Sequence, residues 1–161
     1  MPADTLRWQE GMQLTWSDFE GDAIDVPGLM GEIFCLLPSR YKKDSPVSTL
    51  RYEVLTVLDK KASWIHPQKK NSTSLKFFQL HFDLFECYAR RMRKYYSEIT
   101  SDTDPAEIFN KIYDTQMSAL ALELKQMKSD TKMGNNAVQI DAWRKKIDQN
   151  LKDLAQYQNT L

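Results

Sequence analysis

The stretch SLKFFQLHFDLFECYARRMRK, Ser74 to Lys94, constrains this chain more than any other. At about 100° per residue, Phe77, Phe78, His81, Phe82, Leu84, Phe85, Tyr88, Ala89 and Met92 fall in one arc of a helix. Lys76, Gln79, Asp83, Glu86, Arg90 and Lys94 fall opposite. The spacing predicts an amphipathic helix from about Ser74 to Tyr96, entered through NSTS, whose serines and threonine offer N-caps. A helix with so aromatic a side needs a broad apolar surface to pack on. It also carries one histidine, His81, inside its apolar arc.

The surrounding segments supply that surface. Before the helix, LMGEIFCLLP reads as a strand closed by Pro38, and SRYKKDSP as a polar loop ended by Pro46. VSTLRYEVLTVLD, Val47 to Asp59, reads as one long strand rich in β-branched and apolar residues. KASWIHP, Lys61 to Pro67, reads as short and extended. Gly11 and Gly21 mark turns. Two further helices are expected. One starts at DPAE, with Asp104 as N-cap, Pro105 at the first helical position and Glu107 completing a capping box. Its core face holds Ile108, Phe109, Ile112, Tyr113, Leu120, Leu124 and Met127. The other starts near Asn136 and repeats Ile140, Trp143, Ile147, Leu151 and Leu154. Strands first and helices after favour an α+β domain over residues 1–161, with a small sheet of three or more strands followed by three long helices.

Bulk properties exclude several classes. The 161 residues suit a single domain with a sizeable core. Twenty-two basic and 22 acidic residues cancel, so there is no excess positive charge for phosphate backbones, and nucleic acid is not an expected partner. No apolar run approaches the roughly 20 residues of a membrane span. The start MPADTLRWQEG has neither the basic beginning nor the apolar core of a signal peptide. Cys35 and Cys87 read as two small buried hydrophobes in preference to a bridge. Trp8, Trp16 and Trp64 read as core, or else as the lining of a groove.

Catalytic chemistry finds little support. A zinc-protease helix needs two histidines at i and i+4, so that both imidazoles face one ion, and a glutamate beside the first to take a proton from bound water. His81 suits the second histidine, but positions 77 and 78 are both phenylalanine, which offers neither a lone pair nor a proton. Glu86 lies roughly 140° around the helix from His81, and Cys87 roughly 120°. His81 therefore reads first as a hydrogen-bonded core histidine and second as a metal ligand. There is no nucleophile elbow and no glycine-rich phosphate loop. The acidic DTDPAE stretch reads as a helix cap, since it lacks the glycine and closing glutamate of a calcium loop.

Four blocks nonetheless carry a resemblance: LTWSDFEG (Leu14 to Gly21), ASWI (Ala62 to Ile65), HFDLFECYARRMRK (His81 to Lys94) and DTKMGNNAVQIDAWRKKI (Asp130 to Ile147). In order and spacing they are similar to the bacterial domain-of-unknown-function family 922, described as secreted zinc-dependent proteases. The resemblance implies a zincin-like fold and an exported, secreted or periplasmic protein of Gram-negative bacteria. It also implies a helix reading His-Glu-Gln-x-His-Phe-Asp, where this chain has Phe77-Phe78-Gln79-Leu80-His81-Phe82-Asp83. Beside Gly134, where the family tends to have histidine, stands Met133. The degenerate positions are thus Phe77, Phe78 and Met133, with His81 remaining.

The leading expectation is a pseudo-peptidase: no catalytic residue, no metal and no cofactor, with a binding or structural role. A peptide or protein would bind in the old cleft around Trp64, Ile65, His66 and Glu86, added as a strand beside Ala62–Ile65. The first alternative is a working metal-dependent peptidase or hydrolase with an unusual ligand set, its cofactor zinc, that uses His81 with Glu86, His66 or a distant carboxylate. The second is a helical module whose 104–158 helices pack on a partner protein.

Overall fold

A computed structural model describes residues 4–42, 44–46, 51–100 and 104–159. The chain is α+β. Its strands are β1 (Thr5–Arg7), β2 (Gly31–Leu36), β3 (Ser39–Lys42), β4 (Arg51–Val54) and β5 (Val57–Ile65), and its long helices are α1 (Ser72–Ser97), α2 (Pro105–Asp130) and α3 (Ala137–Asp153). An antiparallel sheet has the order β1-β5-β2, while β3 and β4 form a separate hairpin.

Two strand expectations need correction. Part of SRYKKDSP is strand: Ser39–Lys42 pairs with Arg51–Val54. The expected long strand from Val47 is broken at Leu55–Thr56, where the chain passes from the β3–β4 pair, Leu55 N–H still bonding the Pro38 carbonyl, to the β1–β5 pair, the Thr56 carbonyl accepting from Trp8 N–H; residues 47–50 lie outside the described residues. The second piece instead runs on through the ASWI block as β5. Its ladder with β2 shifts register between Glu32 and Phe34. Buried Ser63 patches the shift: its Oγ accepts from Phe34 N–H at 2.9 Å and donates to the Asp59 carbonyl at 2.7 Å.

β5 is central, so its edges are covered. β2 pairs with it from Val57 to Ile65, and β1 lies on the other side of Val57–Asp59. Beyond β1, Glu20 N–H bonds the Lys60 carbonyl and Gly21 N–H bonds the Ser63 carbonyl. The block WSDFEG thus lies along β5. Gly21 sits at a bend and also permits close approach, because a Cβ there would lie 2.6 Å from the Lys61 carbonyl oxygen. A peptide strand added beside Ala62–Ser63 finds that edge occupied.

Helix α1 begins two residues earlier than expected, because Asn71 is the N-cap: its side chain accepts from Ser74 N–H while Ser74 Oγ accepts from Asn71 N–H. Asp104 caps α2 alone, accepting from Ala106 N–H, with Pro105 following it and no reciprocal bond from Glu107. Asn136 caps α3 by accepting from Gln139 N–H. The apolar stripes of α2 and α3 are spent on α1: Phe109, Leu120, Met127, Ile140, Trp143 and Ile147 join the core formed by the strands and α1.

The larger correction concerns the polar side of α1. Gln79, Asp83, Glu86 and Arg90 are buried, as are Phe77, Phe78, Phe82 and Tyr88 on the opposite side, while Phe85 is half-buried. α1 is an interior helix, covered by strands, α2, α3 and the N-terminal segment. A helix buried all round is usually apolar all round. Here the polar stripe is tolerated because every buried side-chain group in it is hydrogen-bonded.

Candidate functional site

Phe77, Phe78 and His81 form one buried cluster on α1. The Phe77 ring meets the His81 ring edge-on at 4.6 Å between centroids, and Phe78 lies 6.0 Å from His81 and 5.2 Å from Phe19. His81 is 5 % exposed. Its Nδ1–H donates to the Phe77 carbonyl at 3.0 Å, since a carbonyl can only accept. Burial lowers its pKa to about 4, opposed by that hydrogen bond and aided by the positive charge of Lys128. His81 is therefore neutral at physiological pH.

The loop after α2 reaches the same cluster. Lys132 and Met133 adopt left-handed backbone (φ 49° and 54°) and Gly134 follows at φ 88°. Met133 N–H returns to the Lys128 carbonyl, and Asn136 N–H returns to that of Thr131. This tight reversal presses Gly134 onto Phe77: a Cβ at Gly134 would lie 2.7 Å from Phe77 Cδ1 and 2.4 Å from Met30 Cε. The fold thus brings the stretch 133–134 to the 77–81 turn of α1, with Met30 from the start of β2. The side chains gathered there, apart from His81, are aromatic or thioether. A zinc ion needs three or four imidazole, thiolate or carboxylate donors, so this set does not fit one. Among the described residues no group of three or more His, Cys, Asp and Glu is placed to hold a metal.

The expected cleft does not assemble. Trp64 and Ile65 are buried, and His66 makes an edge contact with Trp64 at 5.4 Å while its N–H bonds the Met30 carbonyl. Glu86 belongs to the other end of β5. It accepts from Thr56 Oγ1 at 2.7 Å, Arg90 Nε at 3.0 Å and Arg93 Nη1 at 2.8 Å. Thr56 and Trp64 are eight strand positions apart, roughly 25 Å. Glu86 is the anion of an interior ion-pair cluster, sealed by Arg93 donating to the Val54 carbonyl and Arg90 donating to the Leu151 carbonyl and Glu10.

The described residues contain a concave site that the sequence reading missed. It is a cleft of about 570 Å³ between residues 8–14, α1 and α3. At its base, Asp83 is 7 % exposed. Its Oδ1 accepts from Trp8 Nε1 at 2.7 Å and Gln79 Nε2 at 3.0 Å, and its Oδ2 from Arg144 Nη1 at 2.7 Å. Burial raises the Asp83 pKa above the usual carboxylate range, against the pull of Arg144. Gln79 also accepts from Leu14 N–H at 2.7 Å, pinning the N-terminal segment. Arg144 turns its other edge to Asp148 at 2.7 Å. One signal pointed here: Gln79, Asp83, Glu86, Arg90 and Arg93 recur at three- and four-residue spacing, a continuous stripe of groups able to partner one another.

No family model, no curated protein and no solved structure matches this chain.

Proposed function

We propose that this chain is a catalytically degenerate zinc-metallopeptidase-like domain whose role is binding or structural. The supporting observation is the packing of Phe77 and Phe78. They stand where the motif of family 922 requires an imidazole and a carboxylate, and their rings contact His81, Phe19 and Gly134. Aromatic surface buried there stabilises the fold by about 25 cal/mol per Å², so the domain holds itself together without a metal ion. The residues that match the family's motif blocks make bonds in the interior: Asp83 holds Trp8 and Arg144, Glu86 holds Arg90 and Arg93, and Trp143 donates to Asp130 at 3.0 Å. The same resemblance supports an exported protein, secreted or periplasmic.

The reading of an active hydrolase with unusual ligands has less support, because Glu86 is committed to two arginines and a threonine. The helical module has less support as well. The large apolar residues exposed on α2 and α3 are the scattered Leu122 and Val138, which make no continuous patch.

The test is elemental analysis of protein purified without chelator or metal-affinity chromatography, together with a peptidase assay. Zinc well below one per chain, with no activity, is the expected result. Stoichiometric zinc with zinc-dependent peptidase activity overturns the proposal.

A further inference from the structure

The cleft above Asp83 lies on the side of α1 away from His81, and none of the positions 77, 78, 81 and 133 lines it. Its volume, about 570 Å³, falls within the range of small-ligand sites. Its floor is apolar, made by Leu14, Leu75, Leu80, Ile140 and Leu151. Its walls are parallel helices in fixed register: Asp83 meets Arg144, Cys87 meets the Ile147 carbonyl and Arg90 meets the Leu151 carbonyl, always 60 or 61 positions apart. The cleft is therefore preformed.

Its polar groups divide into those already spent and those left over. Asp83 has three donors, and Glu10 is bonded to Arg90. Of the five N–H groups of a guanidinium, Arg144 places three on Asp83 and Asp148. Two charged side chains that line the cleft have no partner among the described residues: Lys76 on α1 and Asp141 on α3. In the common register Asp141 is level with Leu80, one turn from Lys76, about 6 Å along the helix axis. Opposite unpaired charges thus flank an apolar floor, with spare Arg144 N–H groups beside it.

We propose that this cleft binds a small zwitterion with an apolar body, a free apolar amino acid or a short apolar peptide. The ligand's carboxylate would face Lys76 and Arg144, its ammonium group Asp141, and its side chain the leucine floor. This inference is independent of whether the 77–81 site has lost its metal.

The experiment is NMR titration of the intact protein, following the Trp8 indole N–H beside Asp83. The probes are leucine and leucyl-leucine, with isoamylamine, 4-methylpentanoate and N-acetyl-leucinamide as cationic, anionic and neutral controls. A saturable shift is expected with one or both zwitterions, and the tighter of the two identifies the source. Binding by each control should be weaker, and Lys76→Gln and Asp141→Asn should each weaken zwitterion binding about threefold to fivefold, the scale of an exposed ion pair. Both substitutions are at exposed positions and leave the fold intact. No shift with either zwitterion at millimolar concentration, or equal binding of any control, overturns the proposal. So does an unchanged affinity in both variants.

Discussion

Asp83 and Arg144, 61 positions apart, are joined at 2.7 Å, and the same carboxylate holds the Trp8 indole. One side chain of α1 therefore fastens both α3 and the N-terminal segment. Replacing Asp83 with Ala strands a buried indole N–H and the Gln79 amide, while Arg144, partly exposed, recovers water. A loss of about 2–3 kcal/mol is expected from urea denaturation. A loss near zero would mean that the pair is a passive contact.

Glu86 is the more costly position. Glu86→Ala leaves Arg90 and Arg93 as buried cations facing one another without their shared anion. Removing one partner of such a cluster costs about 3–5 kcal/mol. Thermal unfolding followed by circular dichroism should show a much lower midpoint than for Asp83→Ala.

Gly134→Ala should destabilise by about 2–4 kcal/mol, combining the left-handed backbone with the collision on Phe77. Phe77→Leu in that background should recover part of the loss but not all of it, because the φ of Gly134 is unchanged. A double-mutant cycle with a coupling of at least about 0.5 kcal/mol is the expected reading. Strict additivity would show that the two residues do not press on each other.

His81 sets the acid side of the stability profile. Its pKa is lowered from 6.5 to about 4 in the folded protein, so the unfolded chain binds its proton more readily. The stability it supports is fully present above about pH 6.5 and is lost as pH falls toward 4, by up to roughly 3 kcal/mol. His81→Leu should flatten that part of the curve in urea titrations at successive pH values. An unchanged slope would assign the acid sensitivity to other groups.

Much of the architecture was legible locally. The aromatic arc of α1, the Asp104 and Asn136 caps and the apolar stripe of α3 are all short-range patterns, and each has its structural counterpart. So has the apolar character of positions 77 and 78, since a phenyl ring can do little but pack. Cys35 and Cys87 are both free thiols; Cys87 is buried against the Ile147 carbonyl as expected, whereas Cys35 is only half-buried.

What the sequence by itself determined was therefore the three helices, the strands-then-helices order, and the absence of an imidazole, thiolate or carboxylate at Phe77, Phe78 and Met133. Tertiary structure decided which surfaces remained outside. Gln79, Asp83, Glu86 and Arg90 look solvated in a helical projection, because periodicity describes one helix against one neighbour. They are buried because α3 and residues 8–14 close over that side, and their charges survive there because their partners come from up to 80 positions away. β5 likewise became the covered centre of its sheet, because β1 and residues 20–21 fold back along its far edge. Long-range pairing of this kind leaves no periodic signature in a chain, since each partner is locally an ordinary polar residue.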